Sequence, residues 1–237
     1  MGGEALIKRE SMSHKPTIGM ISIGQSPRPD ILDIFEESWG GRAELLEVGA
    51  LDGATDDDVK RMAPNEGDDV LVVKMADGAQ HIVGRRFLLP RIQASADSLL
   101  PQGITAAILL CTGDFRPFRF PVPFVIPQKI VDNAVASLAN AGQVVGVMIP
   151  TGEQQKQMRR NLACNGIVPV FASASPHSGE QAILEAAHQL KRYDLNFIVM
   201  HCFGYTEAMR EIVKETTGKP VILSNRLVAK VTGELLL

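Results

Sequence analysis

The segment FIVMHCFGYTEAM, from Phe197 to Met209, contains the local pattern that decides the fold. It begins with an apolar run too short for most helices, reaches Cys202, breaks at Gly204 and continues into a sequence typical of a helix start. A short run that is apolar throughout, and does not alternate, is typical of a strand in a parallel sheet covered by helices. The segment therefore predicts a strand, a loop and a helix, with Cys202 at the carboxyl end of the strand.

The same pattern recurs along the chain. Six further runs of this kind lie at 17–23, 43–50, 106–111, 144–150, 167–173 and 220–223. The stretches between them have helical spacing, which predicts an α/β fold with mainly parallel sheets. One exception is an antiparallel hairpin predicted from about Val70 to Gly84, because Asp77-Gly78 lies between two strand-like runs.

Two helix starts carry recognisable capping signals. Thr55 precedes the acidic run DDDVKRM, which places negative charge in a first turn. Ser178 and Gln181 have the spacing of a capping box ahead of AILEAAHQLKR. Both signals predict that a helix follows at once.

A faint internal duplication indicates two lobes. IGMISIG, from Ile18, and VGVMIPT, from Val145, each open a βα series that later reaches an apolar strand ending in a cysteine. We predict two pseudo-symmetric Rossmann-like lobes with an active cleft between them. The first lobe comprises 16–126 plus 220–237, the second 127–219, and 1–15 forms a flexible leader.

Composition excludes several classes of partner. The 237 residues are 45% hydrophobic and carry a net charge of -3, so no basic field would attract nucleic acid or an anionic membrane. No apolar run approaches the roughly 20 residues that span a bilayer, and the N-terminus lacks a secretory signal, so we expect a cytoplasmic protein without a membrane partner. Three cysteines predict free thiols, and Cys164, in a helical stretch, is predicted to be structural.

Cys111 and Cys202 are the candidate catalytic residues. Both follow apolar strands, where parallel sheets bind ligands and helix N-termini present free N–H groups. This placement predicts a thiol pKa lowered from about 8.5 towards neutrality. A single cysteine there is more often core than catalyst. The pair favours function, because its members hold corresponding places in the two lobes and would face one another across the cleft.

Two facing thiols suit the inversion of a carbon acid, in which one base removes a proton and a conjugate acid supplies one to the other face. The partner would be a small-molecule carboxylate held by loop N–H groups. The predicted substrate-binding residues lie in the loops after the strands: Ser22, Gln25, Arg28, Thr112, Gly113, Gly204, Tyr205 and Thr206. Arg28 could equally be solvated at a helix start.

Three further polar residues have competing structural explanations. Arg116 and Arg119 could clamp an anion, although their aromatic, Pro-rich surroundings more often serve packing or oligomer contact. His201 should point to the opposite strand face from Cys202, which disfavours a direct dyad. GxxxxGK, GxGxxG, GxSxG and metal-ligand spacings are absent from the sequence, so we expect no cofactor and no metal.

Six ordered motifs together resemble the AroM family. They are IGQSPRPDI, GALDG, the stretch around 63–72, ILLCTGDF, CFGYT and KPVILSNRLVAKVTGELL. The family in turn resembles a distant branch of the aspartate/glutamate racemase superfamily, which implies two α/β lobes and a cofactor-free, two-cysteine site. By motif, Cys111 and Cys202 match those two cysteines, and Thr112 falls in the loop that binds substrate carboxylate.

The sequence departs from the superfamily pattern beside both cysteines. Racemases typically follow the first cysteine with Asn-Thr and the second with Thr-His, whereas Thr112-Gly113 and Phe203-Gly204 stand here. AroM relatives often carry Asp before the second cysteine, where this chain has His201, and some lack the first cysteine. The departures argue against an amino-acid substrate.

The leading hypothesis is a cofactor-independent racemase or isomerase of a small carboxylate, with Cys111 and Cys202 as the acid–base pair. A single-thiol isomerase or decarboxylase belongs to the same class. The alternative is a non-catalytic protein that binds a small aromatic or carboxylic metabolite, linked to aromatic or shikimate metabolism. The oligomeric state stays open, with a homodimer as one option.

Overall fold

The computed structural model describes residues 15–139, 142–163 and 166–237. The predicted leader, except Lys15, and Cys164 lie outside these residues. The strands are β1 (Thr17–Ser22), β2 (Glu44–Gly49), β3 (Val70–Lys74), β4 (Gln80–Gly84), β5 (Ala106–Leu109), β6 (Phe124–Val125), β7 (Val144–Ile149), β8 (Val168–Ser173), β9 (Phe197–Met200) and β10 (Val221–Leu223). The α-helices are α1 (Pro29–Trp39), α2 (Asp56–Lys60), α3 (Arg85–Leu99), α4 (Pro127–Leu138), α5 (Gln155–Ala163), α6 (Glu180–Lys191), α7 (Glu207–Thr217) and α8 (Ser224–Leu236).

Two four-stranded parallel sheets form the framework, in the orders β2-β1-β5-β6 and β8-β7-β9-β10. The orders correspond strand for strand, because β1 and β7 open the two repeated segments and β5 and β9 precede the two cysteines. The predicted α/β class with parallel sheets is confirmed. Each central strand is buried on both faces, which is why its sequence is apolar throughout.

The predicted hairpin is also confirmed. β3 and β4 pair in antiparallel register from Val70 opposite Gly84 to Lys74 opposite Gln80. Gly78 has φ of 90°, a conformation that side chains disfavour and a tight turn requires here. The hairpin stands apart from both parallel sheets.

The end of the chain corrects the predicted lobe assignment. The strand at 220–223 was expected to join the first lobe, but β10 pairs with β9 in the second sheet. Only the following helix, α8, crosses over to pack against α1. There the Trp39 indole donates to the Ala229 carbonyl at 2.7 Å, and Gly233 allows close approach, since a Cβ would lie 3.0 Å from the indole. The rest of the predicted boundary stays a prediction.

An apolar core joins the lobes. Its buried members come from the inner faces of both sheets and from α1, α4, α5 and α8, and include Ile18, Met20, Phe35, Ile108, Val131, Val147, Met158, Val199 and Val228. Each such side chain contributes about 1.5–3 kcal/mol by leaving water. Two further cores lie on the outer faces, one beneath the hairpin and α3 and one beneath α6 and α7. The lobes are therefore packed directly on one another.

One of the two predicted helix caps is confirmed. Thr55 and Asp58 form a capping box at α2, with each side chain accepting from the other's backbone N–H. The box predicted at Ser178 is wrong, because Gly179 is the residue that precedes α6 and no side chain caps it. Gly179 has φ of 83°, so the chain enters this helix through a glycine turn.

Candidate functional site

A cleft lies where the carboxyl ends of the two sheets meet. Its free space is about 860 Å³, a figure that includes the open mouth. It is lined by Ile23, Arg28, Ile31, Val70, Leu71, Val72, Val73, Lys74, Gln80, Leu110, Cys111, Thr112, Gly113, Asp114, Pro150, Gln154, Gln157, Met158, Pro176, His177, His201, Cys202, Phe203 and Gly204. Both candidate cysteines thus line one cleft.

The two cysteines occupy equivalent turns. Cys111 follows β5 and its sulfur accepts from the Gly113 N–H at 3.2 Å, while Cys202 follows β9 and accepts from the Gly204 N–H at 3.4 Å. Both side chains are partly exposed to the cleft. The charge of a Cys202 thiolate would oppose ionisation of Cys111, so the two groups are electrostatically coupled.

Close packing explains the glycine in each Cys-X-Gly turn. A Cβ on Gly113 would lie 2.6 Å from the Leu71 side chain, and one on Gly204 would lie 2.7 Å from the Pro176 ring. Atoms do not approach so closely without displacement. The glycines therefore hold the loop backbone against the walls of the cleft, where each N–H reaches its sulfur.

The acidity of the thiols differs from the sequence expectation. Burial raises the pKa of Cys111 to about 12, aided by the Cys202 charge and opposed by the Gly113 N–H and by Arg28. Burial also raises the pKa of Cys202, against the Gly204 N–H and Arg28. Desolvation outweighs the loop N–H groups from which a lowered pKa was predicted. Since both side chains keep partial exposure, water in the cleft offsets part of the effect.

Arg28 is held rigidly at the cleft. Its Nε and Nη2 donate to the two carboxylate oxygens of Asp30 at 2.9 and 2.8 Å, and its backbone N–H donates to Glu47 at 2.8 Å. Burial acts to raise the pKa of Asp30, but the bond to Arg28 and the nearby cations outweigh it, and the net pKa is lowered. Arg28 favours both thiolates, so the residue is a fixed positive charge beside the cysteine pair.

Thr112 lines the cleft and connects the lobes. Its hydroxyl donates to the backbone carbonyl of His201 at 3.2 Å, and the side chain is buried. Because this hydroxyl is already engaged, Thr112 fixes the two cysteine loops relative to one another. Its predicted contact with substrate carboxylate stays a prediction.

Four predicted substrate-binding residues lie outside the cleft lining, and their contact with a substrate stays a prediction. Ser22 is buried and its hydroxyl accepts from a loop N–H at 3.2 Å. The Gln25 amide binds three backbone groups in the loop after β2 and in the hairpin turn. Tyr205 is buried and donates to the Ala174 carbonyl at 2.8 Å, and Thr206 caps α7. These side chains position the loops because their polar atoms are used by the backbone.

A buried polar chain beneath Cys202 was missed by the sequence reasoning. The His201 Nε2 lies 3.1 Å from a carboxylate oxygen of Asp132, and Gln128 donates to the other oxygen. His201 is buried away from solvent, and its Nδ1 has no hydrogen-bond partner in the part of the chain that the structure describes. The sequence contains a pattern that could have indicated this chain, because Gln128 and Asp132 are polar residues four apart on the apolar face of α4.

Two cationic or titratable side chains at the cleft were also missed. The Lys74 ammonium lies 3.7 Å from Asp30, which already binds Arg28. His177 follows β8. Burial lowers the pKa of its imidazole, and the positive charges of Lys74 and Arg28 lower it further. Lys74 ends an apolar strand of the hairpin, so only the placement of the hairpin over the cleft reveals it.

Arg116 and Arg119 are exposed and do not line the cleft. The Phe124 ring contacts the rings of Phe118 and Phe120, with centroids 4.7 and 5.3 Å away. This segment therefore packs through its aromatic residues. Its role in oligomer contact stays a prediction.

No cluster of three or more His, Cys, Asp or Glu side chains among the described residues could hold a metal ion. Across the same residues, every helix is too short or too polar to cross a membrane.

Comparison with known proteins identifies one sequence family and several related folds. The model of the AroM family, described as AroM protein, matches residues 18–236. No curated protein matches the sequence. A glutamate racemase from Bacillus anthracis superposes with a TM-score of 0.62 at 12% identity, covering 94% of this chain and 82% of the racemase. An unliganded arylmalonate decarboxylase gives 0.59 at 16%, covering 93% and 92% of the two chains.

A third similar structure is the maleate isomerase Iso from Pseudomonas putida, with a TM-score of 0.61 at 11% identity, covering 93% of this chain and 92% of the isomerase. At such identities the likeness establishes the fold alone.

Proposed function

Because the chain belongs to the AroM family and has a racemase-like fold, we propose that it is a cofactor-independent racemase or isomerase. It transfers a proton at a carbon next to a carboxylate in a small molecule. The observation that carries the proposal is the position of the cysteines: each follows the third strand of its own sheet, and both line one cleft. Cys111 and Cys202 are the proposed acid–base pair.

In the proposed reaction, one cysteine acts as a thiolate and the other as a thiol. The thiolate takes the proton from the carbon, so a C–H bond breaks and an S–H bond forms, while the electron pair delocalises into the carboxylate. The second thiol then donates its proton to the opposite face of the carbon. The product has inverted configuration, and the two sulfurs have exchanged protonation states.

Arg28 has a proposed electrostatic role in this step. It sits beside both sulfurs and lowers the pKa of each thiol, opposing the effect of burial. The same charge would stabilise the enediolate in which the carboxylate gains negative charge. The bidentate bond to Asp30 fixes the guanidinium, so little reorganisation is needed when the charge develops.

The raised thiol pKa values favour a second candidate, decarboxylation with protonation of the product. Here the bond between the carbon and a departing carboxylate breaks, and its electron pair stays on the carbon as carbon dioxide leaves. The resulting carbanion takes a proton from a neutral thiol. Water then returns a proton to the thiolate. This reaction starts from the thiol form, which burial favours at neutral pH.

The test is deuterium incorporation from heavy water into a panel of small carboxylates, followed by NMR. We expect Cys111→Ser and Cys202→Ser each to lower incorporation by about 10²-fold or more, because a hydroxyl is a far weaker acid than a thiol and does not ionise near neutral pH to act as the base. Cys164→Ser is the matched control. Release of carbon dioxide from malonates under the same conditions identifies the decarboxylase.

The non-catalytic alternative has a different outcome. If panel members bind but none exchanges a proton or loses carbon dioxide, the protein is a binder and the proposal fails. Full exchange in both single variants would also refute the assignment of the thiols.

A further inference from the structure

One face of the hairpin strand β3 is turned towards the cleft. Along this strand, Leu71 and Val73 pack into the core of the first lobe, which fixes the direction of that face. Val70, Val72 and Lys74 alternate with them and share the opposite face. All five residues of β3 line the cleft, but Leu71 and Val73 also belong to the apolar core of the first lobe, whereas neither Val70 nor Val72 belongs to an apolar core of the described residues.

The hairpin also reaches the second lobe, so this face forms a wall of a bridged cleft. The Gln154 amide donates to the Val70 carbonyl at 3.4 Å, and the Ser175 hydroxyl donates to Gln80 at 3.0 Å. Arg160 pairs with Asp69 at 3.3 Å. These contacts tie the hairpin to the second lobe across the cleft.

Among the described residues, Lys74 is a cation at one end of the cleft whose carboxylate partner is shared with a second cation. Lys74 and Arg28 share one carboxylate, that of Asp30, which Arg28 engages with both oxygens. The acidic residue in the lining, Asp114, pairs with Arg85 at 3.4 Å. Glu47 lies near Arg28 and accepts from its backbone N–H, whereas the ion pair that Lys74 makes is to the carboxylate already held by Arg28. The Lys74 ammonium is therefore the cation placed to pair with a substrate carboxylate.

The remaining walls are largely apolar and come from both lobes. Their apolar members include Ile23, Ile31, Leu110, Pro150, Met158, Pro176 and Phe203. An α-ammonium group would need an acceptor with a free charge, yet the acids at the cleft, Asp30 and Asp114, already bind cations. The described lining therefore suits an apolar substituent better than an amino group or a second carboxylate.

We propose that the substrate is a monocarboxylate with an apolar substituent, recognised by the β3 face. Lys74 pairs with the carboxylate, and Val70 and Val72 contact the substituent. Their side chains lie about 6.6 Å apart along the strand for each step of two residues, which matches a small acid with a ring or branched chain. The inference rests on the proposed function in taking this cleft as the substrate site.

Calorimetric titration with defined probes tests the inference. Phenylacetate and cyclohexylacetate should bind about tenfold or more tightly than acetate, which lacks the substituent. They should exceed succinate, L-aspartate and neutral phenylacetamide by a similar factor. Tighter binding of succinate or aspartate, or equal binding of acetate, would overturn the inference.

Two variants locate the contacts. Lys74→Met keeps the stem and removes the charge, so phenylacetate should bind about tenfold more weakly and phenylacetamide equally well. Val72→Thr, at a half-buried position outside the cores, should weaken phenylacetate several-fold while leaving acetate unchanged. Lys129→Met, an exposed lysine away from the cleft, is the control. Unchanged affinity in a folded Lys74→Met protein would refute the role of Lys74.

The outcomes separate this inference from the proposed function. Binding of phenylacetate without deuterium exchange keeps the ligand class and removes the catalytic proposal. Exchange of aspartate in place of phenylacetate keeps the catalysis and removes the ligand class.

Discussion

The raised pKa of Cys111 predicts a measurable loss of stability at alkaline pH. A thiol whose pKa is higher in the folded than in the unfolded protein binds more protons when folded, so stability falls as pH rises above the unfolded pKa. Folding raises the pKa from 9.0 to about 12. The loss therefore begins near pH 9 and continues towards pH 12.

The structure sets the size of the effect. Each unit of pKa difference corresponds to about 1.4 kcal/mol, so between pH 9 and pH 11 the wild type loses up to about 2 kcal/mol of unfolding free energy through this thiol. The value is an upper limit, because Cys111 lines an open cleft whose water stabilises the thiolate. Cys111→Ser lacks the titrating group and loses only what all other groups contribute.

The assay is urea unfolding of wild type and Cys111→Ser at pH 7, 9, 10 and 11. Tyrosine and lysine titration is common to both proteins, so the difference in unfolding free energy isolates the thiol. We expect the wild type to lose stability relative to the variant as pH rises above 9. A difference that stays constant with pH, or that changes in the opposite direction, would refute the argument that burial controls this thiol.

Two further predictions concern residues around the thiols. Asp132→Asn should lower the unfolding free energy by about 1–3 kcal/mol, because buried His201 and Gln128 lose the carboxylate that they contact, whereas Asp194→Asn at an exposed site should change it little. Equal effects of the two substitutions in urea unfolding would contradict a role for burial. Arg28→Gln should shift the pH dependence of thiol alkylation to higher pH, because its charge favours both thiolates, and Arg116→Gln should leave the profile unchanged; a profile unmoved by Arg28→Gln would show that the guanidinium does not act on the sulfurs.

The sequence predicted the sheets well for a definite physical reason. Strands buried on both faces are apolar throughout, and the turn at Asp77-Gly78 has strong local chemistry, so both are visible without tertiary information. The sheet membership of β10 could not be predicted, because a three-residue edge strand carries no signal that distinguishes one sheet from the other. The packing of α8 on the first lobe was predicted, although its strand stayed with the second sheet.

The site was predictable in position and less so in chemistry. Both cysteines were located from the ends of apolar strands, but the pKa direction was wrong because burial could not be judged from the residues alone. Ser22 and Tyr205 were expected to meet substrate, yet their hydroxyls are used by the backbone. Lys74 reaches the cleft only because a separate hairpin is laid across it, a placement that no local pattern encodes.

The crossing of the final helix has a consequence for how the two repeats depend on one another. α8 leaves the second sheet to cover α1, and α4, which follows the first sheet, packs against α5 and α8. Each repeat thus supplies a helix that covers part of the other repeat. A polypeptide that contained the first repeat alone would leave Trp39 facing water, so the two halves depend on one another for the burial of their apolar surfaces.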